Sequence, residues 1–119
     1  MRLIISALFM SFLTYASIAG EADVLDVKVR PSGDEFRFAV TVRHDDTGWD
    51  HYADGWEVVG EDGTVYGKRV LAHPHVDEQP FTRAGTFKIP DGIKTVIIRA
   101  HDSVDAYGGK EIKVALPGR

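Results

Sequence analysis

The 119-residue chain contains no cysteine and no asparagine. The first absence removes disulfides, a thiolate nucleophile and any sulfur-ligated zinc site, and leaves no attachment point for a cysteine-linked lipid. The second removes the N-glycosylation acceptor. Both methionines, Met1 and Met10, lie within the first 19 residues. The remainder therefore has no thioether, which disfavours a Cu(I) or blue-copper site. Beyond residue 19 the serines are Ser32 and Ser103. No G-x-S-x-G, phosphate-binding loop or H-E-x-x-H motif occurs. His101-Asp102-Ser103 is contiguous, but neighbours on a strand point to opposite faces, which is poor geometry for a catalytic triad. The chain is therefore expected not to be an enzyme, with a metal-assisted reaction as the exception the residues permit.

Positive charge is also scarce. Lysine and arginine total 14 against 18 aspartates and glutamates. Arg2 is the one charged residue in the first 19, so the rest carries 13 basic against 18 acidic groups, a net of −5. An acidic balance without a basic patch argues against nucleic acid and against anionic membrane surfaces. Residues 1–19 read as a secretory signal peptide: Arg2, an apolar run, then Ser17 and Ala19 at −3 and −1 of a cut. That run is too short to span a bilayer comfortably, and no later run could. Cleavage would leave 20–119 as a single domain of ordinary size, periplasmic or secreted, with no membrane attachment.

The rest of the chain alternates with a period of two. Leu25, Val27 and Val29 mark one strand, and Phe36, Phe38, Val40 and Val42 a second, whose inward phase continues to His44. Trp56 and Val58 mark a third, with Trp56 expected as a buried core pin. Strands over 65–73, 81–89 and 95–101 follow, the first two weakened at Gly67 and Gly85 respectively. Ile112, Val114 and Leu116 make a last one. Asp62-Gly63 and Pro90-Asp91-Gly92 supply turn signals. Seven short strands without helical periodicity predict an all-β, seven-stranded antiparallel β-sandwich of immunoglobulin or fibronectin type III kind, without a disulfide.

The segment T-V-I-I-R-A-H-D-S-V-D-A-Y-G-G-K-E-I-K-V resembles the closing hairpin of bacterial immunoglobulin-like and fibronectin type III-like modules. The stretches G-W-D-H-Y-A-D and H-P-H-V-D-E-Q-P-F are similar to those of small, uncharacterised exported proteins of proteobacteria. That resemblance implies a periplasmic location and no particular activity.

If consecutive strands run antiparallel, the connections alternate between the two ends of the sandwich. Those at 31–34, 61–64 and 90–92 are short turns. Those at 45–54, 74–80 and 102–109 are long, and they gather all five histidines at one end. His73 and His75 flank Pro74, which favours an extended backbone and places both rings on one side. With His44, His51 or His101 they form a candidate site for Zn²⁺ or Cu²⁺. The acidic loop Asp45, Asp46, Asp50 and Asp54 suits Ca²⁺ less well, because it lacks the EF-hand spacing. Trp49, Tyr52 and Tyr107 form a candidate surface for a protein or glycan partner. The expected function is a periplasmic binding module with a His/Asp-rich loop end. A divalent transition metal is its first candidate ligand, and recognition through the aromatic residues is the alternative.

Overall fold

A computed structural model describes residues 20–119, and the expected signal segment at 1–19 lies outside them. Seven strands form: β1 (Asp23–Ser32), β2 (Glu35–Arg43), β3 (Ala53–Val59), β4 (Val65–Val70), β5 (Phe81–Phe87), β6 (Thr95–Asp102) and β7 (Ile112–Ala115). They build two antiparallel sheets, ordered β1-β2-β5 and β4-β3-β6-β7. Among the described residues no helix is long and apolar enough to cross a membrane.

The alternation of the sequence decides which face each strand buries. Phe36, Phe38, Val40 and Val42 of β2 and Val96, Ile98 and Ala100 of β6 point into one core, joined by Trp56, Val58, Phe81, Ile89 and Leu116. Burying a large apolar side chain of this kind contributes about 1.5–3 kcal/mol. Trp56 is fully buried and meets Phe87 edge-on at 6.0 Å between ring centroids. It is the core pin that the sequence predicts.

Three local departures have physical causes. A bulge between Val24 and Asp26 moves Val24 into the core and leaves Leu25 exposed, so β1 does not keep the simple phase of its sequence. The strand expected over 65–73 ends at Val70, which leaves His73 in the connection beyond it. Gly67 and Gly85 interrupt the alternation because the Phe87 ring lies over both. A Cβ on Gly67 would stand 2.3 Å from Phe87 Cδ1.

The loops divide as their lengths suggest. The turn after β3 closes with Gly63 at φ 91°, and Asp62 Oδ1 accepts the Thr64 amide at 3.0 Å. At the opposite end the three long connections touch one another. The His44 amide donates to Gln79 Oε1 at 3.0 Å. The Ser103 amide donates to the Tyr52 carbonyl at 2.9 Å.

Candidate metal centre

The inward phase of two strands runs past the apolar core into polar residues. Along β2 it reads Phe36, Phe38, Val40, Val42 and then His44; along β6 it reads Val96, Ile98, Ala100 and then Asp102. His44 and Asp102 are both buried. His44 belongs to the three-stranded side and Asp102 to the four-stranded side, so the end of the core is closed by side chains from both sheets. His51, in the connection between β2 and β3, turns its ring into the gap.

The three side chains converge. His44 Nε2 and His51 Nε2 are 3.2 Å apart. His51 Nε2 is 3.1 Å from Asp102 Oδ1 and 3.2 Å from Asp105 Oδ2. His44 Nε2 is 3.9 Å from Asp102 Oδ2. His44, His51 and Asp102 each offer a ligand atom within 4.8 Å of the other two, and together they could hold a metal ion. Ligands about 2.0–2.1 Å from a tetrahedral ion lie about 3.3–3.4 Å from each other. The nitrogen–nitrogen spacing is close to that.

A surrounding set of hydrogen bonds fixes these groups. Asp46 is buried, and its Oδ1 accepts from His44 Nδ1 at 2.7 Å and from the Ala53 amide at 3.0 Å. Its Oδ2 accepts the His75 amide at 2.7 Å. With Nδ1 directed at a carboxylate, Nε2 is the His44 nitrogen that faces His51 and the gap, the usual arrangement behind a metal-bound imidazole. Asp102 Oδ1 accepts the Val104 and Asp105 amides at 2.9 and 2.6 Å. Asp102 Oδ2 is buried and has no hydrogen-bond partner among the described residues. A buried carboxylate oxygen left in that state is costly.

The other histidines stand elsewhere. His75 is buried, but its ring stacks on Phe81 at 3.9 Å and its Nε2 lies 3.0 Å from Arg83. A guanidinium can only donate, so Nε2 of His75 accepts and its lone pair is taken. Burial, then the Arg83 charge, then His73 push its pKa down. His73 is exposed and donates from Nδ1 to the Pro74 carbonyl at 3.0 Å. The two rings do lie side by side, 4.7 Å apart, as the His-Pro-His spacing predicts. The cluster of ligand atoms, however, forms around His44 and His51. His75 joins it through its backbone amide alone.

His101 points away from Asp102, as alternation along β6 requires, and lies on the outer face of the four-stranded sheet. There it meets Asp54 Oδ1 at 2.5 Å and packs edge-on against Tyr107 at 4.9 Å. Tyr107 donates to Glu57 Oε2 at 3.0 Å and lies under the Arg99 guanidinium, whose carbon is 4.1 Å from the ring centroid. Burial and the Glu57 carboxylate raise the Tyr107 pKa. Tyr107 is thus part of a closed outer-face network. Trp49 and Tyr52 pair edge-on at 5.5 Å, and Trp49 is 67% exposed. The acidic loop splits similarly: Asp46 is buried behind His44, Asp54 pairs with His101, and Asp45 and Asp50 face solvent.

Asp102 and Asp105 are absent from the candidate ligands that the sequence suggests. Asp102 had a signal, since it continues the Val96, Ile98, Ala100 phase by one step. Asp105 had none, because its position depends on the turn that follows β6.

No family model matches the chain. Over 95 residues it is 42% identical to a protein of the archaeon Halomicrobium mukohataei described as "Putative lipoprotein". The match covers 79% of this chain and 47% of that protein, so the chain spans about half the length of its curated relative. This relative is archaeal, whereas the sequence resemblance is to proteobacterial proteins. A crystal structure of superoxide reductase in the oxidized state superposes with a TM-score of 0.50, covering 81% of this chain and 88% of that one. At 14% identity the likeness speaks to the fold alone.

Proposed function

We propose that the protein is an exported binding module that holds a divalent transition-metal ion with His44, His51 and Asp102. One observation carries the reading. The buried Asp102 carboxylate, with an oxygen that lacks a hydrogen-bond partner, faces two imidazole Nε2 atoms 3.2 Å apart. Three acceptor-type atoms, His44 Nε2, Asp102 Oδ1 and Asp105 Oδ2, lie 3.1–3.2 Å from His51 Nε2, and one proton cannot satisfy them; a cation can. Nitrogen ligands favour Zn²⁺ or Cu²⁺ over Ca²⁺. Export is supported by the amino-terminal pattern and by the lipoprotein description of the relative. An immunoglobulin or fibronectin type III kind of sandwich over 20–119 is supported by the sheet order and by the sheet-to-sheet crossings β2–β3, β4–β5 and β5–β6.

A second reading has its own observation. Trp49 is largely exposed and braced edge-on by Tyr52, which suits stacking against a protein or glycan partner.

The test is a thermal melt with Zn²⁺, Cu²⁺, Ni²⁺ or Ca²⁺, each against chelator. An ion that binds the folded state raises the melting temperature by mass action. The expected result is a rise with Zn²⁺ or Cu²⁺ that His44→Ala and Asp102→Asn abolish. If His51 is instead an imidazolium clamped between Asp102 and Asp105, no ion gives a rise and the metal reading fails.

A further inference from the structure

We infer that Asp105 is the exchangeable fourth ligand of this site, the carboxylate through which a divalent ion enters and leaves. The inference rests on the metal reading above.

Exposure is graded across the cluster. The side chains of Asp102 and His44 are 0% and 1% exposed, that of His51 15% and that of Asp105 35%. Of these four groups, Asp105 is the one that opens most to solvent. Its Oδ2 lies 3.2 Å from His51 Nε2, but outside the three-residue cluster whose ligand atoms all lie within 4.8 Å of one another, so it ligates by swinging inward from its more exposed position.

The chain holds Asp105 there by an unusual turn. Ala106 has φ 63°, in the left-handed region that residues with a Cβ seldom adopt. Two backbone hydrogen bonds tie this conformation down: the Asp102 amide to the Ala106 carbonyl at 2.9 Å, and the Ala106 amide to the Asp102 carbonyl at 3.1 Å. The Asp105 amide also donates to Asp102 Oδ1. The result is a closed loop that folds the Asp105 carboxylate back over His51. Backbone strain retained beside a ligand cluster fits a positioning role for this turn.

Charge points the same way: Asp105 adds a third carboxylate beside the buried Asp102 and Asp46, and a divalent cation is attracted to all three. A buried anchor with a half-exposed partner also gives an ion a route in that leaves the core packing intact.

The experiment compares Zn²⁺ affinity and the rate of chelator-driven Zn²⁺ release for the full chain and for Asp105→Asn, Asp105→Glu and His44→Ala. Loss of even an outer-shell partner costs about 10–100-fold in affinity. Asp105→Asn is therefore expected to bind at least about tenfold more weakly and to release faster, with its melting temperature in chelator unchanged. Asp105→Glu keeps the carboxylate and should restore part of both. His44→Ala should not bind. If the wild type binds, His44→Ala does not, and Asp105→Asn matches the wild type in both affinity and release, this inference falls while the site stands. If the wild type binds no ion, the site reading itself falls.

Discussion

His44 Nδ1 lies 2.7 Å from Asp46 Oδ1, and both side chains are withdrawn from solvent. This pair fixes which nitrogen of His44 faces the ligand gap. It also ties the start of β3 and the connection before β5 to the end of β2, because Asp46 accepts the Ala53 and His75 amides as well.

Asp46→Asn is expected to act on both levels. An amide oxygen can keep some of these bonds, but the NH₂ group faces a donor. Leaving a buried donor unpaired costs about 1–3 kcal/mol. Urea denaturation should show a loss of that order, and calorimetric titration with Zn²⁺ should show about 10–100-fold weaker binding.

His73→Ala and His101→Ala should leave the ion-induced rise in melting temperature intact, since their rings face the Pro74 carbonyl and Asp54. The partly buried His101–Asp54 hydrogen bond contributes about 0.5–1.5 kcal/mol, so the stability loss in His101→Ala should stay within that range. Loss of the ion response in His73→Ala would move the site toward the His-Pro-His segment.

The depressed pKa of His75 makes stability pH-dependent. Burial holds the ring neutral in the folded state, so below its ordinary value of 6.5 the unfolded chain takes up the proton first. The stability is therefore fully present above that value and is lost as the pH falls through the folded-state value. Melting curves in chelator between about pH 7 and about pH 5 should fall more steeply for the wild type than for His75→Phe, which cannot titrate. Parallel curves would show that His75 does not control this window.

Gly67→Ala should be destabilising although alanine is small. The added Cβ meets the Phe87 ring at 2.3 Å. Overpacking of this kind costs about 1–3 kcal/mol. Denaturation midpoints in a Phe87→Leu background should show a smaller penalty, because a narrower side chain can move aside.

Trp49→Ala should change stability by about 0.5 kcal/mol or less, since most of the ring is exposed. Capture of a protein or glycan through this surface should weaken in the same variant. A large drop in melting temperature instead would assign Trp49 to the packing of the loop end.

The strands, the core positions and the crowded loop end were legible in the sequence. Period-two alternation sorts side chains to opposite faces whatever the partners are, so Phe36 to Val42, Val96 to Ala100 and Trp56 could be placed inside from their spacing. The same rule puts His44 and Asp102 at the ends of buried phases. It sends His101 outward, away from Asp102. Sequence also located the cysteine-free, acidic character and the histidine-rich connections.

Which histidines meet was decided by the tertiary structure. His73 and His75 are neighbours along the chain, but the Phe81 ring and Arg83 on β5 hold His75. His44 and His51 instead converge with Asp102, some fifty residues onward in sequence, because β2 and β6 bring their inner faces together across two sheets. The position of Asp105 depends on Ala106 adopting a left-handed conformation, which residue type alone disfavours. Local spacing sets the direction in which a side chain leaves its strand. Only the packing of the two sheets sets what it meets there.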